Sequence, residues 1–216
     1  MCLLVLIPDT FSPDTKRMNV VIIKYNAGNI ESVSNALLRL GVTAEITADR
    51  QKIRSADKVI FPGVGEASTT MAHLKYHGLD ETILSLKQPV LGICLGLQLM
   101  CSWSEEGQTQ CLGIFDETVK RFTPEPGRET TDKVPHMGWN SISHLKTALF
   151  PPALDNQFVY FVHSYYAESG IHTAAECRYI VPFSAALNKD NFFATQFHPE
   201  KSGTVGAEIL KNFLQL

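Results

Sequence analysis

Three absences narrow what this chain can do. It has no Cys-x-x-Cys pair and no Cys/His spacing of the metal-ligand kind, which argues against zinc. It has no cluster of Lys and Arg, and a net charge of -3 offers nothing to attract a nucleic-acid backbone. It has no apolar run of membrane-spanning length: residues 1–7 are apolar but too few to cross a bilayer. That run also lacks the basic start of a secretory signal. Internal repeats and low-complexity tracts are missing too. What is present is a globular composition, 44% hydrophobic and 19% charged, in 216 residues. That length suits one domain with a full core. The five cysteines (Cys2, Cys94, Cys101, Cys111 and Cys177) form an odd, scattered set, which fits a reducing cytoplasm.

Residues 1–17 read as an extension ahead of the domain, either loose or forming an added strand, because polar, turn-rich residues 8–17 separate it from the first strand-like run. The domain is expected over 18–216. Residues 20–24 are β-branched and apolar, as in a central buried strand. A turn and a helix over 30–40 follow, with Val33, Leu37 and Leu40 on one face and Gly41 as its stop. Strands are expected at 43–47 and 58–61. Helices follow at 66–77 and at 80–87, the latter with Asp80 as N-cap. Residues 89–93 form a strand, and a helix from the next residues ends near Trp103. This alternation predicts a parallel sheet with helices on both faces. Further on, strands are expected at 113–122, 157–163, 173–178, 184–187 and 192–197, with a hairpin turn at 188–191. A last helix is expected at 204–213. The fold class is therefore α/β: an open, twisted, largely parallel sheet with an antiparallel β extension.

The chain is organised around Gly92-Ile93-Cys94-Leu95-Gly96. A buried strand runs straight into a helix, with a cysteine at the corner and glycine two residues to either side. This is the thiol version of a nucleophile elbow. Side chains at the flanking positions would collide with the neighbouring strand and helix. The turn lifts the sulfur out of the packing and sets it at a helix N-terminus, where free N–H groups favour a thiolate. The plain alternative is an inert cysteine packed in an apolar run.

Two other stretches also fall at the ends of expected strands, where doubly wound sheets build their sites. In Gln196-Phe197-His198-Pro199-Glu200, His198 can take the thiol proton and later protonate a leaving group. Glu200 can orient and stabilise the imidazole. In Pro62-Gly63-Val64-Gly65, Gly63 can turn a backbone N–H towards the reacting centre, because glycine tolerates the dihedrals. With the N–H of Leu95 it would form an oxyanion hole. Together these groups propose acyl transfer through a thioester. Read separately, Pro-Gly-x-Gly is more often a plain turn and His-Pro-Glu a solvated loop.

In this order and at these separations, Pro-Gly-Val-Gly, Gly-Ile-Cys-Leu-Gly-Leu-Gln and Phe-His-Pro-Glu resemble the class I (triad) glutamine amidotransferase family, over about residues 18–216. Pro135-His136-Met137-Gly138-Trp139-Asn140, Tyr160-Phe161-Val162-His163-Ser164-Tyr165-Tyr166 and Lys201-Ser202 resemble one branch of it, the glutaminase subunits of imidazole glycerol phosphate synthase. The opening stretch is similar to that branch but departs at Lys24, usually Asp, and Asn26, usually Gly. The resemblance implies a flavodoxin-like architecture and no cofactor. It implies Cys94 as nucleophile, His198 as base and acid, and Glu200 as orienting acid. It implies Gly63, Val64 and Leu95 around the oxyanion, and Gly65, Gln98, Ser164 and Tyr165 around glutamine. It also implies a heterodimer with a (β/α)8-barrel cyclase subunit, near Met137, Trp139, Tyr160 and Lys201. That partner would use the ammonia on a phosphoribulosyl-formimino carboxamide nucleotide, in histidine biosynthesis. A glutaminase serving anthranilate, purine or pyridoxal phosphate synthesis is the second reading. A non-catalytic scaffold that keeps the fold to bind a partner is the third.

Overall fold

The structure is a computed structural model that describes residues 18–25, 29–128 and 130–216. The expected extension over 1–17 and the departure at Asn26 lie outside these residues. Lys24 is described: it is exposed, and its N–H is donated to Thr47 O at 2.8 Å.

The first half alternates strand and helix. In order come β1 (Val20–Ile23), α1 (Ile30–Arg39), β2 (Glu45–Thr47), α2 (Arg50–Ser55), β3 (Lys58–Gly63), α3 (Ala67–His77), α4 (Leu79–Leu84), β4 (Val90–Cys94) and α5 (Leu95–Met100). The second half is mostly strand: β5 (Trp103–Ser104), β6 (Thr109–Gln110), β7 (Thr118–Arg121), β8 (His136–Ser141), β9 (Phe158–His163), β10 (Tyr165–Ala167), β11 (Thr173–Arg178), β12 (Pro182–Lys189) and β13 (Phe192–Thr195). It closes with α6 (Gly203–Gln215).

Seven strands form the central sheet in the order β11-β12-β13-β4-β3-β1-β2. The five from β13 to β2 are parallel, while β11, β12 and β13 pair antiparallel and extend it. The β-branched run of β1 alternates between two cores. Val21 and Ile23 face Ile53, Met71, Leu74 and Ile83 of α2, α3 and α4. Val20 and Ile22 face Val33 and Leu37 of α1 and Ile209, Leu210 and Phe213 of α6. A strand covered on both faces has to be apolar throughout, and this one is. Helices thus flank both faces, as the alternating pattern predicts. A four-stranded sheet (β10-β7-β5-β6) and the β8–β9 ribbon are added beside it.

The elements differ from the sequence expectation at several places. Helix α2 is absent from that expectation; its cap, Asp49, accepts from the N–H groups of Gln51 at 2.8 Å and Lys52 at 3.1 Å. Helix α4 is capped by Gly78, not by Asp80. Gly78 adopts φ 63° to end α3 and begin α4 at one residue, which leaves Asp80 inside the first turn. Helix α5 stops at Met100, short of Trp103, which opens β5. The expected strand over 113–122 is confined to Thr118–Arg121. The segment before it is bent round the end of α5: the N–H groups of Leu112, Gly113, Ile114 and Phe115 satisfy the carbonyls of Leu99, Met100 and Cys101. Those are the carbonyls a helix leaves unpaired. The strands β8 and β10 were also missing from the expectation.

Candidate active site

At the β4–α5 corner Cys94 has φ 54° and ψ −107°, a conformation that L side chains rarely adopt. The flanking glycines are there because of close approach. A Cβ at Gly96 would lie 2.1 Å from Phe61 O on β3. One at Gly92 would lie 2.9 Å from Met100 Sδ and 3.1 Å from Gly96 C and O of α5. Helix α5 is therefore pressed on the sheet closely enough to hold the corner in its strained form.

The corner opens on a cavity of about 370 Å³. Val64, Gly65, Cys94, Leu95, Gln98, Ser164, Tyr165 and His198, all expected at the site, line it, and so does Lys201, which was expected at the partner interface. Gly63 does not. It sits in the ladder opposite Cys94, and a Cβ there would come within 2.7 Å of Gly96 N and Leu95 Cβ. Close packing against α5 explains this glycine, whereas the sequence argument rested on its dihedral freedom. The freedom is used one step on, at Gly65, whose φ is 127°. The strand leading here is anchored by Tyr25, whose buried hydroxyl donates to Pro62 O. Burial, and after it the charge of Cys94, push that phenol's pKa far up.

His198 follows β13 and is almost fully buried. Its Nδ1 donates to Glu200 Oε1 at 2.7 Å. Glu200 lies in the short turn Pro199–Lys201, which α6 supports closely: a Cβ at Gly206 would fall 1.9 Å from Pro199 O. Burial alone would depress the His198 pKa. The charge and proximity of Cys94, with the carboxylate of Glu200, outweigh it and raise the pKa to about 10. His198 Nε2 is buried and makes no full hydrogen bond among the described residues, so it is available on the Cys94 side. The arrangement is an imidazolium beside a cysteine sulfur, steadied from behind by a carboxylate, a set of groups suited to nucleophilic catalysis.

Three other described cysteines are inert by burial. Cys101 is pushed well above its ordinary pKa, and Cys111 and Cys177 each to about 12. None of the three lines the cavity.

Several residues here went unnoticed in the sequence. Gln196 is fully buried and gives its amide N–H to Cys94 Sγ at 3.7 Å. Gln98, expected to meet a substrate, lines the cavity and donates to Gln196 Oε1 at 3.0 Å and to Tyr165 O at 2.9 Å. Its role in this structure is to join the nucleophile to the opposite wall. Ser164 O accepts from Phe122 N at 3.0 Å, so that wall is held from behind. Glu106 brings a carboxylate to the cavity, with one oxygen on Ala67 N at 2.9 Å; burial raises its pKa. Nothing in its polar local sequence distinguishes it from a surface glutamate.

A buried histidine relay lies behind the same wall. Asn140 Nδ2 is 3.4 Å from His136 Nε2, His136 Nδ1 is 3.0 Å from His163 Nε2, and His163 Nδ1 donates to Tyr165 O at 2.7 Å. Burial lowers the pKa of His136 to about 4 and that of His163 to about 3, so both rings are neutral. One consistent set of tautomers then satisfies every nitrogen in the chain.

Met137, Trp139 and Tyr160 lie outside the cavity on β8–β9. In this antiparallel pair Met137 faces Val162, Trp139 faces Tyr160, and Ser141 faces Phe158. This face is turned to solvent, with Met137 64%, Trp139 55% and Phe158 57% exposed. The opposite face carries His136, Phe161 and His163 into the core. Phe158 thus extends the expected patch, while Val162 leads it to the cavity mouth. Among the described residues no group of three or more His, Cys, Asp or Glu side chains could hold a metal ion. No described helix is long and apolar enough to cross a membrane.

Comparison with known proteins agrees with this fold. The family profile "Glutamine amidotransferase class-I" matches residues 21–216. The chain is 65% identical to "Imidazole glycerol phosphate synthase subunit HisH" of Bacteroides fragilis over 199 residues, covering 92% of this chain and 100% of that one. It is 46% identical to the protein of the same name from Haemophilus influenzae, covering 92% and 98%. A crystal structure of a glutamine amidotransferase superposes with a TM-score of 0.69 at 18% identity, covering 91% of this chain and 98% of that one. PurLQS from Thermotoga maritima superposes at 0.66 and 13% identity, covering 92% and 98%. At such identities these two structures speak for the fold alone.

Proposed function

The chain belongs to the class-I glutamine amidotransferase family, and from that premise we propose that it is the glutaminase subunit of an imidazole glycerol phosphate synthase, with residues 18–216 as its catalytic domain. The observation that carries the chemistry is the strained Cys94 on the cavity wall beside a His198 bonded to Glu200 at 2.7 Å. The branch is carried by the identity to its named relatives over essentially their whole length.

The steps follow from the residues. Glutamine enters the cavity, and the carboxylate of Glu106 is placed to receive its α-ammonium group. The Cys94 sulfur attacks the side-chain carboxamide carbon. The oxygen that becomes negative is met by the N–H of Leu95, at the start of α5, and by the Gly63–Val64 peptide across the cavity. His198, already an imidazolium, gives its proton to the nitrogen, and the C–N bond breaks to release ammonia. A glutamyl thioester remains. Neutral His198 then takes a proton from water, whose oxygen attacks the thioester carbon. Glutamate leaves, and the proton returns the site to its starting state.

Gly63 is locked in the ladder and does not line the cavity, whereas Val64 and Gly65 do. This supports a resting site in which the second oxyanion donor is not yet presented, and in which partner binding turns the Gly63–Val64 peptide. We infer that the partner is a (β/α)8-barrel cyclase that docks on Met137, Trp139, Phe158 and Tyr160 beside Lys201. An exposed apolar face of this kind marks a protein interface. The four buried, free cysteines suit a reducing compartment, and we place the protein in the cytoplasm.

The test is ammonia and glutamate release from glutamine by the chain alone, with the cyclase, and with cyclase plus its carboxamide nucleotide. Activity should rise in that order and vanish in Cys94→Ala. Full activity of the lone chain would remove the regulatory part; turnover in Cys94→Ala would remove the mechanism. Co-purification with a different synthase would reassign the acceptor.

A further inference from the structure

Asn29 stands where an asparagine ordinarily caps a helix, immediately before α1, yet its side chain caps nothing. Its backbone is left-handed, φ 70° and ψ 3°, a conformation that asparagine tolerates better than most residues. Its side-chain amide crosses instead to the other end of the sequence. Asn29 Nδ2 donates to Glu200 Oε1 at 2.5 Å and lies 3.5 Å from His198 Nδ1. The proton on that ring nitrogen is already committed to the same carboxylate oxygen at 2.7 Å. The second oxygen, Oε2, is buried with no partner among the described residues. The whole hydrogen bonding of the carboxylate therefore rests on two donors, His198 and Asn29.

We propose that Asn29 is a positioning residue for the catalytic acid. It gives up helix capping to donate to Glu200. That donation holds the carboxylate facing His198 and ties the start of α1 to the catalytic turn. The proposal rests on the reading of Cys94, His198 and Glu200 as a triad. Besides Asn29, the charged and titratable groups about this carboxylate are few. His198 stands on one side with Cys94 beyond it. Arg39 of α1 and Lys201 share with Glu200 the wall of a second cavity.

Asn29→Asp separates this role from a structural one. Aspartate has the same shape, is an equally good N-cap and also tolerates the left-handed region. When ionised it cannot donate, and it sets a second negative charge against Glu200. The assay is glutamate release by the complex with the cyclase, saturated with the carboxamide nucleotide. The kcat should fall about 10- to 100-fold, the loss of a charge-assisted hydrogen bond. The KM for glutamine should stay within about twofold, since substrate is not touched. Thermal stability should fall only modestly, leaving the complex fully folded at the assay temperature, so that the loss in kcat is not a loss of folded enzyme. The deficit should narrow as pH is lowered, because two adjacent carboxylates come to share a proton and a donor is regained. Asn29→Ala should lose a similar factor in kcat with no such recovery. Wild-type kcat in Asn29→Asp would overturn the proposal. So would a loss confined to KM, one that tracks thermal stability, or one with no pH recovery. Cys94→Ala, assayed in parallel, keeps the two readings apart: turnover there would overturn the triad itself.

Discussion

Cys94 holds a backbone conformation that costs on the order of 1–3 kcal/mol, and at residue scale this is a clear mark of function. The strain is tolerated because the glycines on either side let strand and helix close around it. His198 provides a direct check. Its pKa is raised from 6.5 to about 10, so the ring is charged across neutral pH. The sign follows: its stabilising contribution is complete below pH 6.5 and is lost as pH rises through about 10. Cys94→Ala removes the negative partner, so the His198 titration seen by NMR should move to lower pH. A titration that stays near 10 in that variant would mean that Glu200 alone sustains the shift. Gln196 shows why some of the site was hidden. A glutamine beside Phe-His-Pro-Glu carries no local sign that it donates to a sulfur 102 positions earlier.

At the scale of elements, α5 does more than continue β4. Its Gly96 lies against β3, its last carbonyls are capped by the segment that follows, and its Gln98 reaches Tyr165. Gly96→Ala would drive a methyl group into a backbone carbonyl that cannot move away. It should cost about 3 kcal/mol or more, a fall in Tm of about 10 °C for a chain of this size. It should also lower the reactivity of Cys94 towards a glutamine-analogue affinity label. Normal Tm and normal labelling would show that the corner can relax. The ribbon β8–β9 is the second functional element. One face sends the neutral His136–His163 relay to Tyr165, and the other shows Trp139 and Phe158 to solvent. A displacement of β8 is thereby connected to the wall of the Cys94 cavity. The sequence expectation missed β8 because its alternation of His, Met, Gly, Trp and Asn is not a hydrophobic one. It becomes legible only once β9 sets the register.

In the whole molecule the mouth of the Cys94 cavity is bordered by an exposed apolar ribbon, the surface proposed to dock the partner. Trp139→Ala should weaken cyclase binding by about 10- to 100-fold, as expected for an aromatic anchor, measured by calorimetry on the complex. An unchanged affinity would move the interface away from β8–β9.

The primary structure by itself determined the parallel half of the sheet, the two-sided core and the elbow, and it singled out Cys94, His198 and Glu200, which the fold brings together. Those features are carried by local pattern: β-branched runs covered on both faces, glycines at fixed offsets from a cysteine, and a histidine two residues before a glutamate. Tertiary structure alone decided which of these residues share a cavity. It gave Gln98 a bracing role within the cavity wall, explained Gly63 by packing, and brought Asn29 to Glu200. The physical reason is that hydrogen-bond partners across long separations are chosen by the closing of the fold. No short stretch of sequence carries that choice. The elbow could be read in five residues; the donors that hold its acid and its sulfur in place required the whole chain.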